Sequence, residues 1–422
     1  MAEPEQPEKR RRSASKRTIG LLIGTFLAAW VPGLLSAIGL FLSLWIVVPA
    51  PTRWLLPLGV GAPEVSPWLA GLNAIGALSA LAALKIVGHS WARVAIVASL
   101  VGLGLSLLPL SQIPTANRQA QAALGADYLN AIPPELHARM RPAPFVLADA
   151  FRGIPTPQIR TELAIPFAAP ADVSLQMNVY RPLSVGKHPA IVVIYGGAWQ
   201  NGTPNNDDDF SRYMAAQGYT VLAIDYRHAP QYRFPAQLED VQTALAFIRQ
   251  HADEYEVDVD RIVLMGRSAG AHLAMLAAFQ PDAPPVRAVV SYYGPVDLTT
   301  GYHDPPNPDP IDTRAVLRAF LGGTPEEFPD RYRQASPYEY ATRPQPPTLL
   351  IYAGRDHLVQ AKFGRALYER LRSINSPAVF LEIPWAEHAF DAVFNGVSNQ
   401  LALYYTERFL AAITHAPNPR NR

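Results

Sequence analysis

Residues 261–271, Arg-Ile-Val-Leu-Met-Gly-Arg-Ser-Ala-Gly-Ala, contain the turn that decides the fold. An apolar run leads into a serine flanked by glycines, and a helical stretch follows. This is the strand–turn–helix context in which a G-x-S-x-G turn exposes its serine hydroxyl at the edge of a sheet. Gly266 and Gly270 are needed there because a Cβ would clash with the adjoining strand or helix. The turn places Ser268 at a helix N-terminus, where the dipole favours negative charge, and predicts that Ser268 is a nucleophile.

Around this turn, short apolar and β-branched runs alternate with helical patterns. Such alternation predicts an α/β fold with a mostly parallel sheet covered by helices on both faces. The uninterrupted apolar run 191–194 is typical of a strand buried on both faces. In these sheets the site lies beyond the carboxyl ends of the strands. The predicted strands are Leu175–Tyr180, Ala190–Tyr195, Thr220–Asp225, Arg261–Met265, Ala288–Tyr292, Thr348–Tyr352 and Ala378–Ile383, and the predicted helices are Asp208–Gln217, Ala236–His251, Ala271–Phe279 and Ala361–Ile374.

A glycine pair follows the second predicted strand, in Tyr195-Gly196-Gly197-Ala198-Trp199. Acyl transfer passes through a tetrahedral oxyanion, which needs backbone N–H donors aimed at it in advance. A Gly-rich loop upstream of the serine turn is where such donors occur. An ordinary Gly-Gly turn is the alternative. The sequence therefore predicts an oxyanion hole formed by Gly196, Gly197, Ala198 and Ala269.

A serine nucleophile of this type is followed along the chain first by an acid and then by a histidine. Asp356 and His388 each come just after a predicted strand, at the expected edge of the sheet. We expect His388 to accept the proton of Ser268 and Asp356 to orient the imidazole. Asp297 also follows a strand and is the alternative acid. We expect two other histidines, His357 and His272, to be a loop residue and a structural residue.

The remaining polar features carry less weight. The run Asp207–Asp209 resembles a cation site, but acidic residues in the first turn of a helix are the ordinary interpretation. Asn201-Gly202-Thr203 matches a glycosylation sequon, which is a weak signal by itself. The absence of cysteine excludes disulfides, a thiol nucleophile and thiolate metal sites. A net charge of +1 gives no reason to expect nucleic acid as a partner. We expect no metal and no cofactor.

The N-terminal part of the chain differs in composition. The segments Thr18–Ala50, Val65–Leu84 and Val94–Asn117 contain no Asp, Glu, Lys or Arg. Each has the roughly 20 apolar residues that a transmembrane helix needs. A buried helical hairpin of a soluble protein is the alternative, and a signal peptide is a further one for the first segment. The sequence predicts about three transmembrane helices that anchor the chain in a lipid bilayer.

Basic residues are concentrated before the first apolar segment, with six Lys and Arg between residues 9 and 17 and few in the later loops. The positive-inside rule then predicts a cytoplasmic N-terminus and, with three spans, an extracytoplasmic catalytic domain. A nucleic-acid-binding tail is the alternative interpretation of the basic run. The predicted organisation is a tail at 1–17, a membrane region at 18–117, a linker at 118–160 and a catalytic domain at 161–415.

Taken together, the motifs resemble those of the α/β-hydrolase fold esterase/lipase family. Within it, the resemblance is to the hormone-sensitive-lipase-like, feruloyl-esterase-like and kynurenine-formamidase-like branch. It covers about Thr161 to Leu410. It rests on motifs in order along the chain: Asn178 to Pro182, Tyr195 to Trp199, Asp225 to Arg227, Ala229-Pro230, Phe234 to Ala236, Glu239 to Val241, Gly266 to Leu273, Ala335 to Pro337, Gly354 to Val359, and His388.

The resemblance implies a carboxylic ester hydrolase that acts on small to medium acyl groups. An amidase or formamidase with the same residues is the first alternative, and a catalytically silent interaction domain is the second. Two positions depart from the family pattern. Tyr195 stands where the family usually has histidine, and Ala198 matches the Gly-Gly-x-Trp variant of the formamidase-like relatives.

The Pro-rich stretch Leu298–Pro347 separates two predicted strands and contains a helical piece at Thr313–Leu321. Insertions of this kind commonly cover a site and shape its pocket. Position along the chain indicates four aromatic residues as candidates for the pocket lining, namely Tyr292, Tyr293, Tyr302 and Phe390.

Overall fold

The computed structural model describes residues 30–415 apart from residues 89, 126, 127 and 129. It divides the chain into two compact units. The first contains residues up to Val48 together with Val65–Leu110, and the second contains Pro49–Glu64 together with the chain from Ser111 onward. The predicted tail at 1–17 and the first part of the first predicted span, residues 18–29, lie outside the described residues.

The helices and strands are numbered in chain order over the described residues. The helices are α1 Trp30–Leu44, α2 Leu56–Glu64, α3 Ser66–Val87, α4 Trp91–Leu124, α5 Pro134–His137, α6 Leu147–Arg152, α7 Asp208–Ala216, α8 Ala236–Gln250, α9 Ala269–Phe279, α10 Leu298–His303, α11 Thr313–Leu321, α12 Pro329–Gln334, α13 Pro337–Tyr340, α14 Ala361–Ser373 and α15 Val397–His415. The strands are β1 Arg160–Ala168, β2 Leu175–Arg181, β3 His188–Ile194, β4 Thr220–Ile224, β5 Val257–Arg267, β6 Ala288–Tyr292, β7 Thr348–Ala353 and β8 Ala378–Ile383.

The first unit consists of α1, α3 and the part of α4 up to Leu110. Two of its helices, Ser66–Ile86 and Trp91–Leu124, are long and apolar enough to cross a membrane, by length and composition alone. They overlap the second and third predicted spans. The described part of the first predicted span forms the shorter apolar helix α1.

Polar side chains lie inside the first unit and large apolar ones lie on its surface. Asn73 on α3 is buried and donates to Ser43 Oγ on α1, while Ser106 on α4 lies 2.9 Å from the same Ser43 hydroxyl. Ser99 donates to Ser36 at 2.8 Å. Exposed on the same helices are Trp30, Leu34, Phe41, Ile75, Leu78, Val94, Val97 and Leu100.

An eight-stranded sheet organises the second unit, with strand order β1-β2-β4-β3-β5-β6-β7-β8. β2 pairs antiparallel with both β1 and β4, and the pairs from β4 through β8 are parallel. The predicted mostly parallel sheet is therefore confirmed. β3 and β5 lie at its centre and are almost fully buried along their apolar runs, as the Ile and Val residues of β3 indicate.

All seven predicted strands are present, and the structure adds β1 at the antiparallel edge. β1 was missed because it has the pattern of an edge strand. Most of its side chains are exposed or half-exposed, it contains Pro166, and its pairing with β2 shifts register between Glu162 and Ile165. Proline and irregular register are tolerated where only one side of a strand is paired.

The lead-in to the sheet packs against the C-terminal helix α15. The Arg141 guanidinium contacts Asp149 at 3.1 Å and Gln400 at 2.6 Å, and the Arg141 N–H donates to Glu407. These groups are all buried. Residues 134–152, which the sequence predicts to be a linker, are thus held to α15 by charge-assisted hydrogen bonds.

Candidate active site

The serine turn between β5 and α9 has the strained backbone that its glycines predict. Ser268 adopts φ 51° and ψ −120°. A Cβ at Gly270 would lie 2.0 Å from the Ile194 carbonyl oxygen, and one at Gly266 would lie 2.3 Å from the Gly270 carbonyl carbon. Neither position can accept a side chain without moving backbone, so the glycines allow β3, β5 and α9 to meet at Ser268.

Three side chains from three chain segments meet at this edge of the sheet. His388 Nε2 lies 3.0 Å from Ser268 Oγ, and His388 Nδ1 lies 2.8 Å from Asp356 Oδ2. Asp356 Oδ1 accepts the N–H groups of Leu358 and Val359 at 2.8 and 2.7 Å. His388 and Asp356 are both buried. One continuous hydrogen-bonded row therefore runs from hydroxyl to imidazole to carboxylate, and two backbone N–H groups hold the carboxylate in place.

Opposing influences act on the imidazole of His388. Burial lowers its pKa, but the Asp356 carboxylate, with a smaller contribution from Glu387, raises it, and the pKa lies above its ordinary value. For Asp356 the directions are reversed. Burial raises the pKa of its carboxyl group, whereas His388 and the Val359 N–H lower it, and the pKa lies above its ordinary value. A carboxylate beside an imidazole stabilises the imidazolium that forms when a serine proton is transferred.

The alternative acid and the two other histidines have different partners. Asp297 caps α10, where its carboxylate accepts the N–H of Thr300 at 3.0 Å. His357 Nδ1 lies 2.6 Å from Glu387 Oε2, a contact that raises the pKa of the imidazole. His272 is buried in α9, and burial lowers its pKa to about 4, so it is neutral at physiological pH.

The loop after β3 faces Ser268 with its backbone. Gly197 has φ 136° and Ala198 has φ 55°, both in the left-handed half of backbone space that favours glycine. Within the described residues, neither N–H is bonded to a protein acceptor. Gly196, Gly197, Ala198 and Ala269 all line the same cavity as Ser268 and His388. The geometry thus brings the predicted N–H donors and the serine to one space.

Trp199 fixes the end of this loop through two contacts. Its indole stacks on Phe320 with ring centroids 4.2 Å apart, and its Nε1–H donates to His272 Nδ1 at 3.2 Å. His272 in turn donates through Nε2 to the Ala335 carbonyl at 2.6 Å. The neutral imidazole therefore joins the Gly-rich loop to the insertion between β6 and β7, which agrees with the structural role predicted for His272.

Tyr195, which replaces the usual family histidine, is also buried under the loop. Its hydroxyl donates to Asp225 Oδ1 at 2.5 Å and lies 2.8 Å from His228 Nε2. Its ring stacks on Tyr226 at 4.5 Å. The side chain supports the loop from the side away from the cavity, since it is not among the residues that line it.

Removal of this hydroxyl in Tyr195→Phe should cost stability more than activity. The half-buried Asp225 carboxylate loses one donor, which costs about 1–3 kcal/mol of unfolding free energy. The backbone N–H groups of the loop remain, so kcat/KM should fall less than about tenfold. Thermal unfolding and ester kinetics on the same preparation test this. An unchanged Tm together with a loss of more than 100-fold in kcat would instead give the hydroxyl a chemical role.

A buried charge cluster that the sequence did not predict connects the serine turn to the segment after His388. Arg267 forms ion pairs with Asp207 at 3.1 Å and with Asp391, and Asp391 also accepts the hydroxyl hydrogen of Tyr293. Asp207 lies just before α7, and its carboxylate makes no N-cap hydrogen bond. The first residue of the acidic run, Asp207, is therefore an ion-pair partner of Arg267 and does not cap the helix. The cluster ties residues adjacent to Ser268 and His388 to each other.

A cavity of about 720 Å³ opens in front of Ser268. Of the four aromatic residues predicted to line it, only Tyr293 does so, and Tyr292, Tyr302 and Phe390 are packed in the protein interior. The apolar lining comes largely from the insertion and from α14, including Leu298, Ile311, Val316, Leu317 and Phe363. Leu56 and Val60 of α2 also line it, and no sequence signal connects these residues to the serine.

The chain is similar to a family of known proteins and to several esterases. A family model described as BD-FAE matches residues 177–371. Esterase LipC of Mycobacterium tuberculosis is 35% identical over 238 residues, and Probable carboxylic ester hydrolase LipM of the same organism is 31% identical over 243 residues. An acetyl esterase of Salmonella paratyphi B is 27% identical over 266 residues.

Coverage of these relatives is partial. The matched region is 52% of this chain and 58% of LipC, 54% and 55% for LipM, and 58% and 78% for the acetyl esterase. Among solved structures, the butyrate-bound esterase Est2 of Thermogutta terrifontis is 25% identical with a TM-score of 0.51, over 59% of this chain and 93% of that one. The family model includes Ser268 and Asp356 and ends before His388.

Proposed function

We propose that this chain, which belongs to the esterase family of the α/β-hydrolases, hydrolyses carboxylic esters of small to medium acyl groups while anchored in a membrane. The observation that carries the proposal is the row Ser268 Oγ, His388 Nε2, His388 Nδ1 and Asp356 Oδ2, with spacings of 3.0 and 2.8 Å. Such a row activates a serine hydroxyl that is otherwise a poor nucleophile at neutral pH.

In the first half of the reaction Ser268 Oγ attacks the ester carbonyl carbon, and its proton passes to His388 Nε2. The carbonyl oxygen becomes an oxyanion, which accepts hydrogen bonds from the N–H groups of Gly197, Ala198 and Ala269. The C–O bond to the alcohol then breaks. His388 returns the proton to the departing oxygen, which leaves an acyl group on Ser268.

Water completes the cycle by the same steps. It gives a proton to His388 Nε2 as its oxygen attacks the acyl carbon, and the second oxyanion uses the same N–H donors. Collapse of this intermediate releases the carboxylic acid and returns the proton to Ser268. Asp356 keeps Nδ1 protonated and stabilises the imidazolium in both halves.

The size of the cavity supports small to medium acyl groups. About 720 Å³ lies within the range of pockets that enclose small organic ligands. The relatives point the same way, since one is named as an acetyl esterase and the Est2 structure is described as butyrate-bound. Apolar side chains dominate the lining around Ser268, which suits an aliphatic acyl chain.

The experiment that tests the function uses the full-length chain in detergent micelles. p-Nitrophenyl acetate, butyrate and octanoate are supplied as substrates, and a fluorophosphonate probe is used to label the nucleophile. We expect turnover, and a probe adduct that peptide mass spectrometry assigns to Ser268. Turnover of N-formylkynurenine but not of these esters would favour the amidase alternative. Folded protein with neither activity nor adduct would favour a silent interaction domain.

The membrane part of the proposal rests on the distribution of side chains in the first unit. Its helices bury serine and asparagine side chains that hydrogen-bond between helices, and they expose large apolar ones such as Leu34, Leu78 and Val97. Interhelical hydrogen bonds between small polar residues are typical of helix packing in lipid. In water this arrangement would be unfavourable, because large apolar side chains cover the surface of the first unit.

Three spans with a cytoplasmic N-terminus would place the hydrolase domain on the extracytoplasmic side. The chain has no cysteine, so a single introduced thiol reports its own position. Val185 lies between β2 and β3 and is 82% exposed. We expect Val185→Cys to react with a membrane-impermeant maleimide in intact cells. Reaction only after the cells are permeabilised would reverse the proposed topology.

A further inference from the structure

The helix α2 is far from the catalytic residues in the sequence but lies beside them in the fold. It lies in the interval between the first two predicted spans, yet it belongs to the same compact unit as the sheet. Leu56 and Val60 line the cavity that contains Ser268 and His388. The candidate site therefore includes a wall that lies outside residues 177–371, the part of the chain that the BD-FAE family model matches.

A buried carboxyl group fixes this wall in place. Glu64, the last residue of α2, accepts the Ser398 N–H at 2.8 Å and also the Ser398 hydroxyl hydrogen. Both residues are almost completely buried. Gly396 fits closely beneath the carboxylate, since a Cβ there would lie 2.5 Å from Glu64 Oε2. The helix is thereby held to the start of α15 at a defined position.

The side of the pocket on which α2 lies follows from its neighbours. α2 packs against residues Phe390–Ala392 and against α15. These segments come directly after His388 in the chain. The leaving oxygen of an ester must approach His388 Nε2, because it takes its proton from that atom. An alcohol part that extends from His388 past these segments would meet α2.

The chemistry of this wall is apolar. Leu56 and Val60 face a region that also contains Ala392 and Phe394. The nearby Asp391 carboxylate forms an ion pair with Arg267 and accepts the hydroxyl hydrogen of Tyr293, so it is not available to a polar substrate group. Arg53 also lines the cavity, but its side chain is exposed to solvent.

We infer that α2 forms the alcohol-binding side of the substrate pocket, and that Leu56 and Val60 select esters whose alcohol part is an apolar chain. This inference rests on the proposed ester hydrolysis and adds a substrate class to it. The specificity residues for the leaving group then belong to the segment between two predicted membrane helices, and a fragment that begins after α4 lacks them.

The test compares two substrate series on the full-length protein in detergent micelles. In the first, butyrate is esterified with methanol, butanol or hexanol. In the second, methanol is esterified with acetate, butyrate or octanoate. We expect the Leu56→Ala variant to lose about tenfold or more in kcat/KM for hexyl butyrate relative to methyl butyrate, the usual effect of removing apolar contacts from a pocket. Its acyl-length series should be shifted much less.

The matched control is Leu58→Ala, the same substitution two residues along α2 at a position that does not line the cavity. It should leave the alcohol series unchanged. Val60→Ala gives an independent second variant and should shift the alcohol series in the same direction as Leu56→Ala.

The outcomes separate the inference from the proposed function. If wild-type protein does not hydrolyse any ester, or does so without Ser268, the proposed function itself fails. If wild-type hydrolysis depends on Ser268 but Leu56→Ala and Leu58→Ala behave alike, the inference is overturned while the function stands. A shift confined to the acyl series would overturn the assignment of α2 to the alcohol side.

Discussion

Ser268→Ala is expected to lower kcat by about 10⁶-fold, the order seen when the nucleophile of a serine triad is removed. The deleted hydroxyl is the atom that forms the acyl bond, and no neighbouring group replaces it. The variant should stay folded with His388 and Asp356 in place. The backbone turn at residue 268 is set by Gly266 and Gly270 and not by the serine side chain. Substrate binding should change little.

Initial rates with p-nitrophenyl butyrate, together with thermal unfolding, measure this effect. Ser291→Ala is a matched control, since Ser291 is a buried serine on the adjacent strand β6 and does not line the cavity. It should keep kcat within a few-fold of wild type. The double variant Ser268→Ala with His388→Ala should be little worse than Ser268→Ala alone, because the residues act as a unit. Full activity in Ser268→Ala would remove the serine from the mechanism.

How far the sequence determines this site depends on the range of the interactions involved. The turn at Ser268 is local, so five residues and their flanking strand and helix were enough to predict it. Asp356 and His388 are predicted because parallel strands end at one edge of the sheet and the order of the three residues limits the choice. Asp297 satisfied the same rule. The structure distinguishes the two, because Asp356 contacts His388 Nδ1 whereas Asp297 caps α10 through Thr300.

Long-range features were beyond the reach of pattern reasoning. The Arg267 cluster joins residue 207 to residue 391 through a buried ion pair, and no periodicity encodes that meeting. Leu56 and Val60 had the composition of a short apolar connection, so nothing indicated that they line a pocket. The edge strand β1 is a local feature, but the sequence does not predict it because its exposed face and its proline weaken the strand pattern.

The position of α2 also changes how the membrane anchor is understood. From the sequence, the apolar segments form an appended anchor that the catalytic domain does not need. In the structure, residues 49–64 belong to the same compact unit as the sheet, where the buried Glu64 bonds to Ser398. Burial raises the pKa of this carboxyl group to about 8, so it is mostly protonated at neutral pH and its burial carries little charge penalty. The chain between two predicted spans is thus part of the unit that contains the candidate site.

Asp356→Asn is expected to lower kcat by about 10⁴-fold, the order found when a triad aspartate is replaced by its amide. The amide cannot stabilise the imidazolium, and its NH₂ group can pair with Nδ1 in the wrong tautomer. His388 must be neutral to accept the serine proton, so activity is present above its pKa and lost as pH falls through it. In wild type this acid limb should lie above the ordinary value of 6.5, because the Asp356 carboxylate raises the pKa of His388 against the lowering effect of burial.

In Asp356→Asn that charge is gone while burial remains, so the residual activity should show its acid limb at lower pH. The pH profile of kcat/KM measures both effects. Glu387→Gln is the control, because Glu387 also raises the pKa of His388 but its carboxylate is bonded to His357 and to backbone N–H groups. It should move the limb slightly in the same direction and keep kcat within about tenfold, since the imidazole stays oriented by Asp356. If Asp356→Asn kept its activity and Asp297→Asn lost it, Asp297 would be the acid, and the alternative left open by the sequence would hold.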